Sequence, residues 1–312
     1  MRILLTGISG NLGYEVASEC IKKNIEIIPL VRNKISVEEL FDVSIFPEII
    51  ETDLLSDQKI NLSSSVDAIV HCAGIVHFKK AENNNEKMLT KMIELAKCID
   101  APLYFVSTAF TFRPHNENFV PNNSYEQDKY NCEKLLKNSD IQHSIIKPSV
   151  LTGSSTDGSI RNFTGYYSLL KGLLQYADIS SNNGIKLRVP RFTGYSDIVP
   201  IDLVAQEIVG MVKSHTLNEL YLTNMNPPKA MWLFSETLDY FNLSEVVSMV
   251  DMSFDQFGKL KLTKEEKEFR EFSQHFLPYW ELGYNFPNSA LKNASVDRTY
   301  LKKILDYFIL HN

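Results

Sequence analysis

Two tyrosine–lysine pairs overlap in the stretch NSYEQDKYNCEKLL, residues 123–136. Tyr125 precedes Lys129 by four residues, and Tyr130 precedes Lys134 by the same interval. A hydride delivered to a carbonyl leaves negative charge on oxygen, which must be protonated or stabilised. A phenol serves as the donor when its pKa is drawn down from about 10. A nearby ammonium and a positive nicotinamide both favour the phenolate. Residues four apart share a helix face, so either pair is a mechanically sensible unit.

The buried stripe separates the two frames. With Tyr125 at zero and ~100° per residue, Lys129 falls near ~40°, Cys132 near ~−20° and Leu136 near ~20°. Tyr130 and Lys134 fall near ~140° and ~180°, with Asn131 and Lys137. The first pair is expected to face inward and the second to face water. A third group should hold the substrate oxygen. FVSTAF places Ser107 and Thr108 at the carboxyl end of an apolar run, and either hydroxyl could do so.

A cofactor must sit beside these groups. The run RILLTG leads into TGISGNLG, with Gly7, Gly10 and Gly13 followed at once by an amphipathic segment. Gly7 permits the tight turn, Gly10 lets backbone approach phosphate, and Gly13 lets helix pack on strand. The helix N-terminus offers free N–H groups and a positive dipole end. The next run ends at PLVRN, so Arg32 stands where a carboxylate would bond a ribose 2′-hydroxyl. An arginine there pairs with a 2′-phosphate, which points to NADP(H). Asp53 could accept from an adenine amino group or cap the turn after its strand. Ala73 and Gly74 end the fourth run with small side chains that allow close backbone approach. His71 and His77 flank them and read as structural, lacking an acidic or nucleophilic neighbour in sequence.

These groups need an α/β scaffold. Apolar, β-branched runs (RILLTG, IEIIPLVR, PEIIET, DAIVHCAG, PLYFVSTAF, HSIIKPSVLTG) alternate with helical stretches, the clearest being NLGYEVASECIKKN and KMLTKMIELAKCI. That alternation predicts right-handed crossovers and a doubly wound parallel sheet, a Rossmann fold, with both faces covered. SSTDGSIRNFTG reads as a long loop and ELYLTN as a further strand. From Asn226 the pattern turns mainly helical and aromatic. Residues 1–225 are therefore expected to form the dinucleotide-binding domain, with substrate-facing insertions after 150. Residues 226–312 are expected to form a smaller helical substrate cap.

Bulk properties bound the function. The 312 residues are 44% hydrophobic, enough for a full core, and carry a formal charge of −6. A mild acidic balance argues against a general nucleic-acid or membrane-surface binder. Cys20, Cys72, Cys98 and Cys132 are scattered, so neither a disulfide framework nor a metal site is expected. No apolar run has the length of a membrane span. MRILLTG runs straight into a strand without a cleavable leader, which makes the cytoplasm the expected compartment.

TGISGNLG, Ser107-Thr108 and the Tyr125/Lys129 pair together resemble the extended short-chain dehydrogenases/reductases. Several stretches resemble their thioester reductase and fatty acyl-CoA reductase branch: LVRN, FVSTAF, IIKPSVLTGSSTDG, IVPIDLVAQEIV and YNFPNSALKNA. The resemblance covers nearly the whole chain, and only the later stretches distinguish the branch. It implies Thr108, Tyr125 and Lys129 as catalytic residues. It implies cofactor contacts from Gly7, Gly10, Asn11, Leu12, Gly13, Arg32, Asp53, Leu54, Ala73, Gly74, Pro148 and Ser149, with Tyr125 and Lys129. Two residues depart from the branch: Lys147 stands where arginine is usual, and Pro287 where aspartate is.

The implied reaction is NADPH-dependent reduction of an acyl thioester to an aldehyde and a thiol, with a second round leading to an alcohol. Thr108 and Tyr125 would stabilise and protonate the oxyanion, and Lys129 would lower the tyrosine pKa. With every residue assigned to the fold, the acyl group is expected on a separate phosphopantetheinyl carrier protein or on CoA. Two other readings share this constellation: a reductase of a free aldehyde or ketone, and a nucleotide-sugar epimerase or dehydratase. A non-enzymatic dinucleotide-sensing regulator could keep the glycine turn and dispense with Tyr125 and Lys129.

Overall fold

A computed structural model describes residues 1–76, 83–114, 118–280, 282–287 and 289–312. His77 and Asn288 lie outside the described residues. The first half alternates as read from the sequence: β1 (Arg2–Thr6), α1 (Asn11–Lys22), β2 (Glu26–Val31), α2 (Ile35–Glu38), β3 (Ile50–Glu51), β4 (Ala68–His71), α3 (Asn84–Ile99), β5 (Leu103–Val106), α4 (Ser124–Lys137) and β6 (His143–Pro148). Then come β7 (Val150–Thr152), α5 (Tyr166–Asn182), β8 (Leu187–Pro190), β9 (Ile198–Pro200), α6 (Ile201–Lys213) and β10 (Glu219–Asn224). The last part holds α7 (Ala230–Tyr240), β11 (Val247–Val250), α8 (Phe254–Phe257), α9 (Lys264–Ser273), α10 (Leu277–Trp280), β12 (Ser289–Leu291) and α11 (Arg298–His311).

The main sheet has the order β12-β10-β6-β5-β4-β1-β2-β3, and its paired strands are parallel. Strand residues alternate between two cores. Ile3, Leu5, Ile27, Val70, Tyr104 and Ile146 pack with α1 and α6 on one face. Leu4, Ile28, Ile69, Leu103, Phe105 and Ile145 pack with α3 and α4 on the other. Burial on both faces explains the continuous apolar runs, which lack a polar alternate. The chain reverses winding direction between β1 and β4, where doubly wound sheets bind their ligands.

The helical C-terminal part does not stand apart from the sheet. β12 joins the main sheet beside β10, and β11 pairs with β8. α11 is bound to the end of β7: the Tyr300 hydroxyl donates to the Gly153 carbonyl at 2.7 Å and lies 2.7 Å from the Thr152 hydroxyl. Short strands of this kind carry little periodicity, so composition at 226 marks a change of pattern while the backbone pairing crosses it in both directions. No helix of the described residues is long and apolar enough to cross a membrane.

Candidate active site

The glycine turn is built by close approach. Gly7 adopts φ +76°, and a Cβ there would stand 2.6 Å from the Ala73 nitrogen. A Cβ on Gly13 would stand 2.0 Å from the Gly7 carbonyl oxygen. Neither position admits a side chain, so β1, α1 and the end of β4 meet backbone to backbone. The turn opens onto a cleft of about 560 Å³ lined by Gly7, Gly10, Arg32, Asp53, Leu54, Ala73 and Gly74 among others. Seven of the residues expected at the cofactor thus share one cavity. Gly13 is buried behind the turn and Leu12 packs in the core. The Asn11 side chain is used differently: its amide donates to the Asn162 carbonyl at 2.9 Å and its oxygen accepts from the Asn162 N–H at 2.8 Å. That exchange ties the loop of residues 154–165 to the turn.

Arg32 is exposed at the rim of this cleft. Its guanidinium has no hydrogen bond or ion pair among the described residues. Asp53 caps its own turn, with Oδ1 accepting from the Leu55 N–H at 2.9 Å. Asp53 also lines the cleft, so capping the turn does not remove it from the cofactor side. His71 is buried and bonded to the Thr6 hydroxyl at 2.7 Å, and the same hydroxyl accepts from the Ala73 N–H at 3.1 Å. Burial, with Lys129 nearby, lowers the His71 pKa to about 3, so it is neutral and holds the tip of β4 in place.

On α4 the two tyrosine–lysine pairs diverge. Lys129 is 4% exposed, and its ammonium donates to the Val106 carbonyl at 2.8 Å. It also lies 3.3 Å from where a Cβ on Gly74 would be. Lys129 therefore reaches the tips of β4 and β5. Lys134 is exposed, with its ammonium 4.5 Å from the centre of the Tyr130 ring. Tyr130 differs from expectation: it is half-buried, as Tyr125 is, and Phe119 stacks on it at 4.1 Å. A wheel of one helix cannot show that a flanking segment folds back over it.

The tyrosine pKa also departs from expectation. Burial pushes the Tyr125 phenol above its ordinary value, and the carboxylates of Glu126 and Asp128 add to the rise. Burial lowers the Lys129 pKa, partly countered by Cys132 and Asp128. Without a bound cation the phenol thus stays protonated, the form that a proton donor needs.

The two hydroxyls that the sequence left equivalent are separated by strand alternation. Ser107 points toward α4 and donates to Glu133 Oε1. Thr108 follows in extended backbone (φ −144°, ψ 148°), which directs successive side chains oppositely. Among the described residues its hydroxyl oxygen accepts only a long bond from the Phe110 N–H, at 3.4 Å. Ser149 is likewise engaged: its hydroxyl donates to the buried Asp197 at 2.6 Å, and Pro148 precedes it at the end of β6. Burial raises the Asp197 pKa to about 6, against the lowering effect of the Asn224 N–H and Ser149.

Four residues around the site were not singled out by sequence: Asn85, Arg113, Glu133 and Asp197. Asn85 accepts from the Ile75 N–H at 2.8 Å, donates to the Ile75 carbonyl at 2.9 Å, and also bonds Asp128. Arg113 donates to the Phe110 and Phe112 carbonyls, each at 2.8 Å, and to Glu126 at 3.0 Å. Glu133 pairs with Lys147 at 2.8 Å, and Lys147 pairs with Glu219 at 2.6 Å. Burial alone would lower the Lys147 pKa, yet Glu133 and its neighbours hold it above the ordinary value. A signal existed for this pair. A lysine inside a doubly buried strand must find a carboxylate, and α4 carries one on its inner half.

The model of the family described as "RmlD substrate binding domain" matches residues 1–168, more than half of the chain. No curated protein sequence matches it. Among solved structures, the chain is similar to the terminal R domain from the myxalamid PKS-NRPS biosynthetic pathway (TM-score 0.76, 20% identity, 99% of this chain and 90% of that one). It is similar to a thiolation-reductase di-domain from an archaeal non-ribosomal peptide synthetase (TM-score 0.72, 16% identity, 99% and 75%). It is also similar to the UDP-Glc/GlcNAc 4-epimerase of Campylobacter jejuni (TM-score 0.64, 17% identity, 99% and 99%). By its family match and its strand order, the chain belongs to the RmlD substrate binding domain family and has the extended short-chain dehydrogenase/reductase fold, a fold of oxidoreductases and epimerases.

Proposed function

We propose that this chain is an NADPH-dependent reductase of an acyl thioester, carried on a separate phosphopantetheinyl protein or on CoA, with an aldehyde and a thiol as products. The observation that carries it is Lys129, one helical turn after Tyr125 on α4, with its ammonium on the Val106 carbonyl at the tip of β5, beside a cleft whose rim bears the exposed Arg32. The R-domain structures, similar over nearly the whole of this chain, support the thioester as substrate class.

The residues present fit the cofactor. The backbone cradle at Gly7 and Gly13 would be filled by any Cβ, and the turn leads into the N-terminus of α1, which attracts phosphate. Arg32 would hold a 2′-phosphate, and Asp53 and Leu54 would border the adenine. When bound, the dinucleotide supplies the hydride. Tyr125, protonated in its buried setting, donates the phenolic proton to the former carbonyl oxygen. Thr108 donates a hydrogen bond to the same oxygen, and the Lys129 ammonium favours the charge left on the phenolate. The resulting hemithioacetal breaks its C–S bond as its hydroxyl proton passes to the departing sulfur, releasing the aldehyde and the thiol, and the Tyr125 phenolate regains a proton from solvent.

The test is oxidation of NADPH with acyl-CoA, acyl-carrier thioesters and the matching free aldehydes. Thioester turnover is expected. Turnover of aldehydes alone would sink the thioester assignment. Interconversion of a nucleotide sugar without net NADPH loss would replace it with the epimerase reading.

A further inference from the structure

We infer that Glu133 is a positioning residue for this site, holding the Thr108 hydroxyl in register with Tyr125 and Lys129. The inference rests on the proposed catalytic roles of those three residues. Glu133 is one helical turn beyond Lys129 on α4 and is 3% exposed. Its Oε1 accepts from the Ser107 hydroxyl and, at 2.8 Å, from the Thr111 hydroxyl. These residues bracket Thr108. The single Thr111 proton is shared with the Thr108 carbonyl, 3.0 Å away. One carboxylate oxygen therefore grips the turn on both sides of the proposed donor.

The other oxygen, Oε2, is occupied by Lys147 at 2.8 Å, and Lys147 is anchored to Glu219, which also takes Lys137 at 2.6 Å. The carboxylate is thus held from β6 and β10 while it holds the end of β5. Two more bonds join the same pieces. Lys129 donates to Val106, just before Ser107, and Arg113 spans the Phe110 carbonyl and Glu126. Lys129, Glu133 and Arg113 thus each fasten the helix bearing Tyr125 to the segment around Thr108, and of these three only Glu133 grips both flanks of Thr108. A donor displaced by about 1 Å can cost about 10²-fold in rate, so such a fastening has a kinetic consequence.

The experiment compares Glu133→Gln, Thr111→Val, Lys147→Met and Lys147→Arg in the full chain. Thermal melts confirm folding, and the nearly isosteric Thr111→Val keeps the test available if a charge variant does not fold. Turnover is measured on whichever carbonyl substrate the wild type reduces, and amide exchange is followed over residues 106–112 and over α3 in the unliganded protein. Expected are a fall in kcat of about ten- to a hundredfold for Glu133→Gln with unchanged KM for NADPH. Faster exchange in 106–112 with α3 still protected should accompany it, and the loss should be much smaller for Lys147→Arg than for Lys147→Met. Altered melting temperature with unchanged kcat would overturn the inference by making the group merely structural. Unchanged exchange in 106–112 would also overturn it, even in a protein without measurable turnover. Wild-type activity on aldehydes alone would remove the thioester assignment, while the kcat comparison would still decide the role of Glu133.

Discussion

Helix α4 carries the same chemical pair twice, and the two copies lie in different environments. Lys129 is buried with its ammonium on the Val106 carbonyl, whereas Lys134 is exposed and lies over the Tyr130 ring. Tyr125 is raised in pKa by burial, and Tyr130 is packed beneath Phe119. Identical spacing on one helix therefore does not make equivalent chemistry. What separates them is what each meets: Lys129 meets the tips of β4 and β5, whereas Tyr130 and Lys134 meet a flanking segment and solvent.

The inner pair is disrupted most severely by Tyr125→Phe. Removing the general acid should lower turnover by about 10²–10⁴-fold with NADPH affinity intact, checked by steady-state rates and cofactor titration. A variant that keeps wild-type turnover would remove Tyr125 from the proposed chemistry. Arg32→Ala should act on the cofactor instead of the proton. Losing charge-assisted bonds of about 1.5–3 kcal/mol should weaken NADPH by about ten- to a hundredfold and leave NADH nearly unchanged. Equal losses for both cofactors would refute the 2′-phosphate role. The smallest effect belongs to the outer pair. Tyr130→Phe keeps the ring stacked on Phe119, so turnover should stay within about twofold and the stability change within about 0.5 kcal/mol. An inactive but folded Tyr130→Phe would invert the assignment of the two frames.

Much of the fold was legible because its signals are local. A strand buried on both faces reads as a continuous apolar run, as in Ile3–Leu5 and Ala68–Val70. The turn at Gly7, Gly10 and Gly13 was legible for the same reason: its glycines are needed where strand and helix touch. Less legible were residues whose partners lie far along the chain. Ser107 and Thr108 are adjacent and chemically alike, and what distinguishes them is that Glu133 on α4 takes the Ser107 hydroxyl. Asn11 sits in the glycine turn, yet its side chain belongs to Asn162. Asn85 gave no signal, because an asparagine in the first turn of a helix is ordinary until the Ile75 backbone is placed against it.

The sequence by itself determined the alternation of strands and helices, the place of the glycine turn, the arginine at the end of β2 and the inward direction of Lys129. Each follows from periodicity or from a residue's own conformational limits. Tertiary structure alone decided that β12 closes the far edge of the sheet, that Phe119 covers Tyr130, and that Lys147 is neutralised by Glu133 and Glu219. It also decided that burial, with the Glu126 and Asp128 carboxylates, raises the Tyr125 phenol. Desolvation and long-range pairing depend on what surrounds a group on every side, and that information is spread across the whole chain.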